Sequence, residues 1–242
     1  MRENSLDAPV VHDVAQGTTS SASIGIIFLA IAAGSLDVIS FLTLDHVFAS
    51  AMTGNTALLG IAISGGDWSS AARPAIALCG FIIGTATASV ASHSTAARER
   101  RLAALKKLLL LEAACLVTFA IVQQLDREMT PHVAQYLLIL LCSFGMGLQV
   151  IAAKTVGAPE VNTIVSTSTV AAAVSSYVDI VLGRQTGARV RNDTLRQILS
   201  FAAYAAGALI AGLLAWSKFS LLAWLPVAAV LLALSCFRNR LL

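Results

Sequence analysis

The stretch Ile24–Leu44, reading IGIIFLAIAAGSLDVISFLTL, decides the fold. It is long enough to cross a bilayer, whose hydrocarbon core takes roughly 20 apolar residues of helix. Yet it carries a carboxylate, Asp37, about seven residues from its C-terminal end. A charge at that depth is costly against lipid, so it points into a helix bundle or a wet cavity. The stretch reads as a membrane span beside a polar interior.

The rest of the 242 residues agrees: 57% are hydrophobic and 12% charged, against roughly 25% charged in an ordinary soluble domain. The apolar runs far exceed the roughly 9–11 residues of a barrel strand, so the spans are helices. A net charge of +3 reflects loop lysines and arginines and implies no nucleic-acid partner. Cys79, Cys115, Cys142 and Cys236 lie within apolar segments without C-x-x-C spacing, as buried free thiols would. No H-E-x-x-H, G-x-S-x-G, paired membrane aspartates or Cys/His cluster occurs, so neither an enzyme nor a metal or other cofactor is expected.

Residues 1–23 are polar and slightly acidic and read as a disordered cytoplasmic tail before a single transmembrane domain, 24–242. They lack a basic n-region, and the apolar run that follows is too long for a signal-peptide core. Eight apolar segments follow, at 24–44, 47–64, 74–92, 108–124, 134–153, 161–182, 197–216 and 220–237. Gly65-Gly66-Asp67 and Gly157-Ala158-Pro159 separate some of them, and Pro74 and Pro159 suit the first turn of a helix.

Two similar halves emerge, 24–124 and 134–238. Asp37 lies 18 residues before Asn55, as Gln149 lies 18 before Thr167. Each half runs through a helix with one buried polar side chain, a short Thr/Ser/Asn-rich segment, a Gly/Ala-rich helix and a Leu-rich one. Weak internal symmetry of this kind accompanies many transporters.

Lysine and arginine placement selects the topology, because these residues gather in cytoplasmic loops. If all eight segments cross, the 16 basic residues divide 9 to 7, which is no bias. If 47–64 and 161–182 enter and leave on one face, the division becomes 13 to 3, and if only 47–64 crosses it is 12 to 4. The reading is therefore an all-α polytopic protein with six full spans, two short or re-entrant polar segments and both termini cytoplasmic. Eight crossings remain the alternative. Three spans per half make the repeats inverted, an architecture that places a site near the midplane.

Re-entrant backbone survives only where protein or a cavity covers it. Met52-Thr53-Gly54-Asn55-Thr56 supplies what such a turn needs: freedom at Gly54, and an N-cap from Asn55 or Thr56. The second half offers Ser166-Thr167-Ser168-Thr169. Short helices starting there would aim positive dipole ends at the cavity. The expected substrate site is thus Asp37, Thr53, Gly54, Asn55, Gln149, Thr167 and Thr169. Asp37 is either a coupling carboxylate for protons or cations, or a structural group bonded to Ser35 or Ser40. Glu112, close in sequence to Lys106 and Lys107, reads as an interfacial ion pair or a snorkelling side chain. Asp45-His46 and Asp67-Trp68 fall at the outer mouth. The pairs Gly80/Gly84 and Gly207/Gly212 permit close helix approach.

Gly34-Ser35-Leu36-Asp37, Phe41-Leu42-Thr43-Leu44 and Phe48…Met52-Thr53-Gly54-Asn55-Thr56 resemble the YoaK-like family of bacterial membrane proteins. Gly145-Met146-Gly147-Leu148-Gln149, followed by Gly157 and Pro159, resembles its second signature. The likeness covers 24–238 and implies a multi-span inner-membrane protein without implying a substrate. Thr167-Ser168-Thr169 stands where that family pattern has Thr-Gly-Thr, which weakens a symmetric second re-entrant turn.

A transporter or permease for a small molecule or ion, coupled at Asp37, is the leading expectation. A passive channel and a non-transporting module that binds a partner protein are the alternatives, and Gly80/Gly84, the pair that matches G-x-x-x-G, suits internal packing as readily as a homo-oligomer.

Overall fold

A computed structural model describes residues 9–93, 98–125, 132–155, 167–182 and 188–238. Among these the chain forms helices α1 (Pro9–Thr43), α2 (Met52–Ser64), α3 (Trp68–His93), α4 (Arg98–Leu125), α5 (His132–Thr155), α6 (Thr167–Val181), α7 (Ala188–Trp216) and α8 (Trp224–Arg238), and no strand. Five contain windows long and apolar enough to cross a membrane: Ser23–Thr43, Trp68–Ser92, Leu102–Leu125, Ala134–Thr155 and Thr194–Trp216. The segment expected to supply a sixth begins with turns, and its helix starts only at Trp224. α8 has 15 residues and α2 has 13, about 22 Å and 20 Å of helix against a hydrocarbon core of about 30 Å. At the other end of the chain α1 begins at Pro9, so helix extends into the stretch read as a tail.

Local chemistry sets the boundaries that matter. α1 ends where Asp45 and His46 take left-handed backbone, φ 61° and 64°. His46 N–H returns to Phe41 O at 3.0 Å, a six-residue closure that satisfies an end carbonyl of the helix and reverses the chain. Asp67 caps α3, its Oδ1 accepting from Ser70 N–H at 3.0 Å. Pro74 therefore sits inside α3, past the first turn where the sequence placed it.

α1 and α5 are the central helices, with 67% and 61% of their spans buried, against 22% for both α3 and α7. α1 packs on α7 and α8, α5 on α3 and α4, α2 on α3, and α6 on α7. Missing side chains make the two closest crossings possible. A Cβ on Gly34 would run into Tyr204 O, and one on Gly207 into Ile31 O. Between α3 and α5, a Cβ on Gly84 would run into Phe144 O, and one on Gly147 would lie 2.5 Å from Phe81 O. In both pairs each glycine faces the carbonyl three residues before the opposing glycine, where weak Cα–H···O contacts accompany close approach. A Cβ on Gly80 would meet Leu140 O at 2.8 Å, so contacts advance four residues along both α3 and α5 and the two run parallel. Gly212 has open space beside it and is not a packing glycine.

One end of the bundle is tied by side chains. Gln123 Nε2 donates to Thr43 Oγ1 at 3.0 Å, and Trp224 Nε1 to Gln124 Oε1 at 2.7 Å. Arg73 pairs with Asp45 at 2.7 Å. The ends of α1 and α4 and the starts of α3 and α8 therefore share this end. Because α1 finishes where α3 begins, α2 lies between two points on the same end of the bundle.

Candidate functional site

After Asp45 the chain turns back along α1. Leu44, Val47, Ala49 and Ser50 are buried, and Phe48 stacks on Phe41 with ring centroids 4.9 Å apart. Ala49 N–H donates to Ser40 Oγ at 3.1 Å, and the same hydroxyl donates to Asp37 O at 3.1 Å. The loop thus returns to the level of Asp37, about 9 Å below the end of α1 by helix rise. There α2 begins.

Asp37 meets that beginning. Its Oδ1 accepts from Ser50 N–H at 2.6 Å, and its Oδ2 from Ser50 Oγ at 2.6 Å and from Tyr204 OH at 2.6 Å. The side chain is 3% exposed. Three donors converging on two oxygens fit an ionised carboxylate, which only accepts. The carboxylate stands at the positive end of α2, whose N-cap residue, Ala51, makes no side-chain cap of its own. Asp37 therefore does from α1 what a capping aspartate does from within a helix, with Tyr204 of α7 as a third support. Its partners are Ser50 and Tyr204 in place of the expected Ser35 or Ser40. Ser35 instead donates to Ala32 O, within its own helix.

The Met-Thr-Gly-Asn block works differently from the sequence expectation. Asn55 is buried inside α2 and forms no cap. It accepts from Phe48 N–H at 3.0 Å and donates to Phe48 O at 2.7 Å, replacing a backbone partner for the loop. Thr56 donates back to Met52 O. Gly54 is helical, and what it supplies is room: a Cβ there would lie 2.9 Å from the Phe48 ring. Thr53 is exposed.

Gln149 is fully buried on α5. Its Nε2 donates to Leu29 O at 3.1 Å, while its Oε1 has no partner. It joins α5 to α1 but does not bond to the Asp37 network. Thr167 and Thr169 fall in the first turn of α6, and their side chains lie outside the described residues, as does the 156–166 stretch before them. Of the seven expected site residues, Asp37 and Asn55 hold the α2 entry, with Gly54 packed against it.

Glu112 overturns its reading. It lies in the middle of α4, fully buried, and among the described residues neither carboxyl oxygen has a hydrogen-bond partner. It stands against Gly145 of α5, where a Cβ would meet Glu112 Cγ at 3.7 Å and Cys115 Cβ at 3.8 Å. Nearness in sequence to Lys106 and Lys107 misled: both lysines are exposed, while Glu112 falls on the stripe with buried Leu105, Leu109 and Leu116. Sequence reasoning also missed Ser50 and Tyr204. The available signal for Tyr204 was a phenol inside an apolar span, three residues before the glycine that seats α7 on α1.

A cleft of about 340 Å³ opens at the tied end, lined by Asp45, Val47, Leu58, Asp67, Arg73 and Pro74 among others. It leads along α2 from the side of the Asp45–Arg73 pair. Ser70, through its hydroxyl and then its amide, holds the Asp67 carboxyl below the usual carboxylate range. Among the described residues no group of three His, Cys, Asp or Glu side chains is placed to hold a metal ion.

A bundle of apolar helices enclosing a carboxylate network defines a polytopic helical membrane protein. Residues 25–237 match the family described as "Protein of unknown function (DUF1275)". The chain is also 31% identical over 204 residues to the UPF0700 transmembrane protein YoaK of Bacillus subtilis (strain 168), covering 84% of this chain and 88% of that one. It belongs to this YoaK-like family of transmembrane proteins, as the motifs around Asp37 and Asn55 implied. No solved structure matches it.

Proposed function

We propose that the protein is an inner-membrane permease for a small solute, and not an enzyme, with its substrate path at the start of α2. The observation that carries this reading is the helix α2 itself. It begins at the depth of Asp37, held there by groups from α1 and α7, and ends beside the start of α3. Irregular backbone at membrane depth is tolerated where protein or a cavity covers it, and discontinuous helices of this kind build the midplane sites of many transporters.

In this reading α1, α3, α4, α5 and α7 cross as long helices, α8 makes the sixth crossing together with the turns at 220–223 before it, α2 and α6 are re-entrant, and α1–α4 and α5–α8 are inverted halves. The reciprocal glycine contacts support it. The first helix of each half crosses the third helix of the other through the same glycine-on-carbonyl arrangement. The substrate would pass between the halves, where Asp37 of one bonds Tyr204 of the other.

Asp37 acts as an anchor in this mechanism and not as the coupling group. Its two oxygens satisfy all three donors around them, and losing those bonds would release the start of α2. Because Asp37 already neutralises that helix end, the path suits a neutral or cationic solute better than an anion.

The test is redistribution of solutes in vesicles. Purified protein is reconstituted, the vesicles are loaded with a bacterial small-molecule extract, a proton gradient is imposed, and contents are measured by mass spectrometry. A permease shifts at least one solute relative to protein-free vesicles, and Gly54→Trp abolishes that shift. If no solute redistributes beyond the protein-free control, the reading fails.

A further inference from the structure

We propose that Glu112 is the proton-carrying carboxyl of this protein, protonated in the closed arrangement of the helices and discharged towards the cytoplasmic end through the space between α4 and α8. The proposal rests on the permease reading for its purpose, but its chemistry is separately testable.

Three observations converge on this side chain. Glu112 is 0% exposed at the centre of a membrane-spanning helix, and both of its oxygens are unpartnered. An ionised group there would be an uncompensated buried charge, and even the neutral acid forgoes hydrogen bonds that water would supply. A leucine or alanine would pack the site without that loss, so the acid is a cost to the fold with no structural return. Asp37 shows the contrast, since its three donors give it a structural job.

Opposite Glu112 the helix α5 presents Gly145, so the stem of the acid packs against a residue without a side chain: a Cβ there would meet Glu112 Cγ at 3.7 Å. A cavity also adjoins the same helix. A cavity of about 210 Å³ lies between the start of α4 and the end of α8, lined by Leu102, Leu105, Lys106, Leu231 and Ser235 among others. Leu105 and Glu112 are seven residues apart, two turns of helix, and so share a face with the buried Leu109 between them. Leu109 and Glu112 do not line the cavity, so in this arrangement the acid is closed off from it.

The ionisable groups around the site are few. On its own helix Cys115 stands next to it, and beyond that Cys142 comes from α5. Lys106 lines the cavity and is exposed. Among the described residues, α3, α5 and α8, which pack against α4, supply no ion-pair or hydrogen-bond partner to the Glu112 carboxyl. The step is a simple proton transfer. The carboxylic O–H bond breaks, the proton passes to water in the α4/α8 cavity, and the carboxylate remains until it is reprotonated.

The experiment uses the full chain in lipid vesicles and two probes, protons and the lipid-soluble reagent dicyclohexylcarbodiimide, which attacks protonated carboxyls in membranes. Modified peptides are located by mass spectrometry across a pH series, and infrared spectra follow the protonated-carboxyl band. The expected result is modification of Glu112, falling about tenfold per pH unit above its titration midpoint. The band should disappear in Glu112→Gln and persist in Asp37→Asn. The wild-type labelling needs no variant to fold. Absence of Glu112 modification at every pH, or a pH-independent yield, overturns the proposal. Reversible titration of Glu112 without solute movement would sink the permease reading and leave this site standing. Solute movement whose gradient dependence survives Glu112→Gln would do the reverse.

Discussion

Gly34→Ala tests the crossing that joins Asp37 to Tyr204. The added methyl would overlap the Tyr204 carbonyl oxygen and stand 2.9 Å from its carbon and 3.1 Å from its Cα. These are backbone atoms of α7, which no rotamer change can move. Comfortable C···O approach is about 3.3 Å or more, so the helices must part by on the order of 1 Å. Overpacking of this kind costs about 1–3 kcal/mol. The same movement draws the Tyr204 hydroxyl, now 2.6 Å from Asp37, beyond hydrogen-bond range, a further loss of about 1.5–3 kcal/mol for a bond to a charged group. The helix-propensity gain of alanine over glycine returns only about 1 kcal/mol. The net expectation is destabilisation of roughly 1.5–5 kcal/mol, read as a lower unfolding midpoint in detergent titration. Gly212→Ala is the control, because nothing lies within 4 Å of the new methyl, and it should be neutral or mildly stabilising. If Gly34→Ala matches wild type, the glycine-on-carbonyl crossing is not what holds α7 against α1.

Asp37→Ala should cost about 3–5 kcal/mol, because it strands the Ser50 amide, the Ser50 hydroxyl and the Tyr204 hydroxyl together; Tyr204→Phe, which removes one of those donors, should cost about half as much. Asn55→Leu removes both bonds to the Phe48 main chain and should loosen the loop by about 1–3 kcal/mol, seen as faster hydrogen exchange at residues 47–51. In a cysteine-free background, His46→Cys and Ser69→Cys should react with an impermeant thiol reagent on the same side of the membrane, and labelling on opposite sides would show that α2 crosses. The Asp67 carboxyl is held below its ordinary range by Ser70, so its folded value lies under its unfolded value. Its contribution is then complete above the unfolded value and is lost as pH falls through the lower folded one. Asp67→Asn should flatten that acid limb of the melting curve, and an unchanged pH profile would contradict the cap.

The membrane class was legible in the run from Ile24 to Leu44, because an apolar helix of that length matches a bilayer's hydrocarbon core. Charge placement bore on the same question: the Asp45–Arg73 bond brings the chain on both sides of α2 to one end of the bundle, whereas the 13-to-3 division also depends on 161–182, part of which lies outside the described residues. Contacts between distant helices were not legible. Tyr204 lies 167 residues from Asp37, and nothing in local periodicity pairs them. The glycine signal was partly deceptive for the same reason. Gly207 and Gly212 look alike in sequence, but only Gly207 faces a neighbour, since five residues along a helix turn it to another face. Gly54 invited a reading from backbone freedom when its use is clearance for Phe48.

The two membrane acids show most clearly what depth alone leaves open. Judged by position in an apolar run, Asp37 is the conspicuous group and Glu112 the one excused by nearby lysines. Donor count reverses them. A carboxyl that accepts from one amide and two hydroxyls is built into the fold, and those bonds hold the start of α2 in place. A carboxyl with no partner on either oxygen gains nothing from remaining as it is. A change in its protonation state would therefore break no hydrogen bond among the described residues. Coupling requires a group whose charge changes while the scaffold persists, and by that criterion Glu112 is suited to the exchange, with Asp37 belonging to the scaffold.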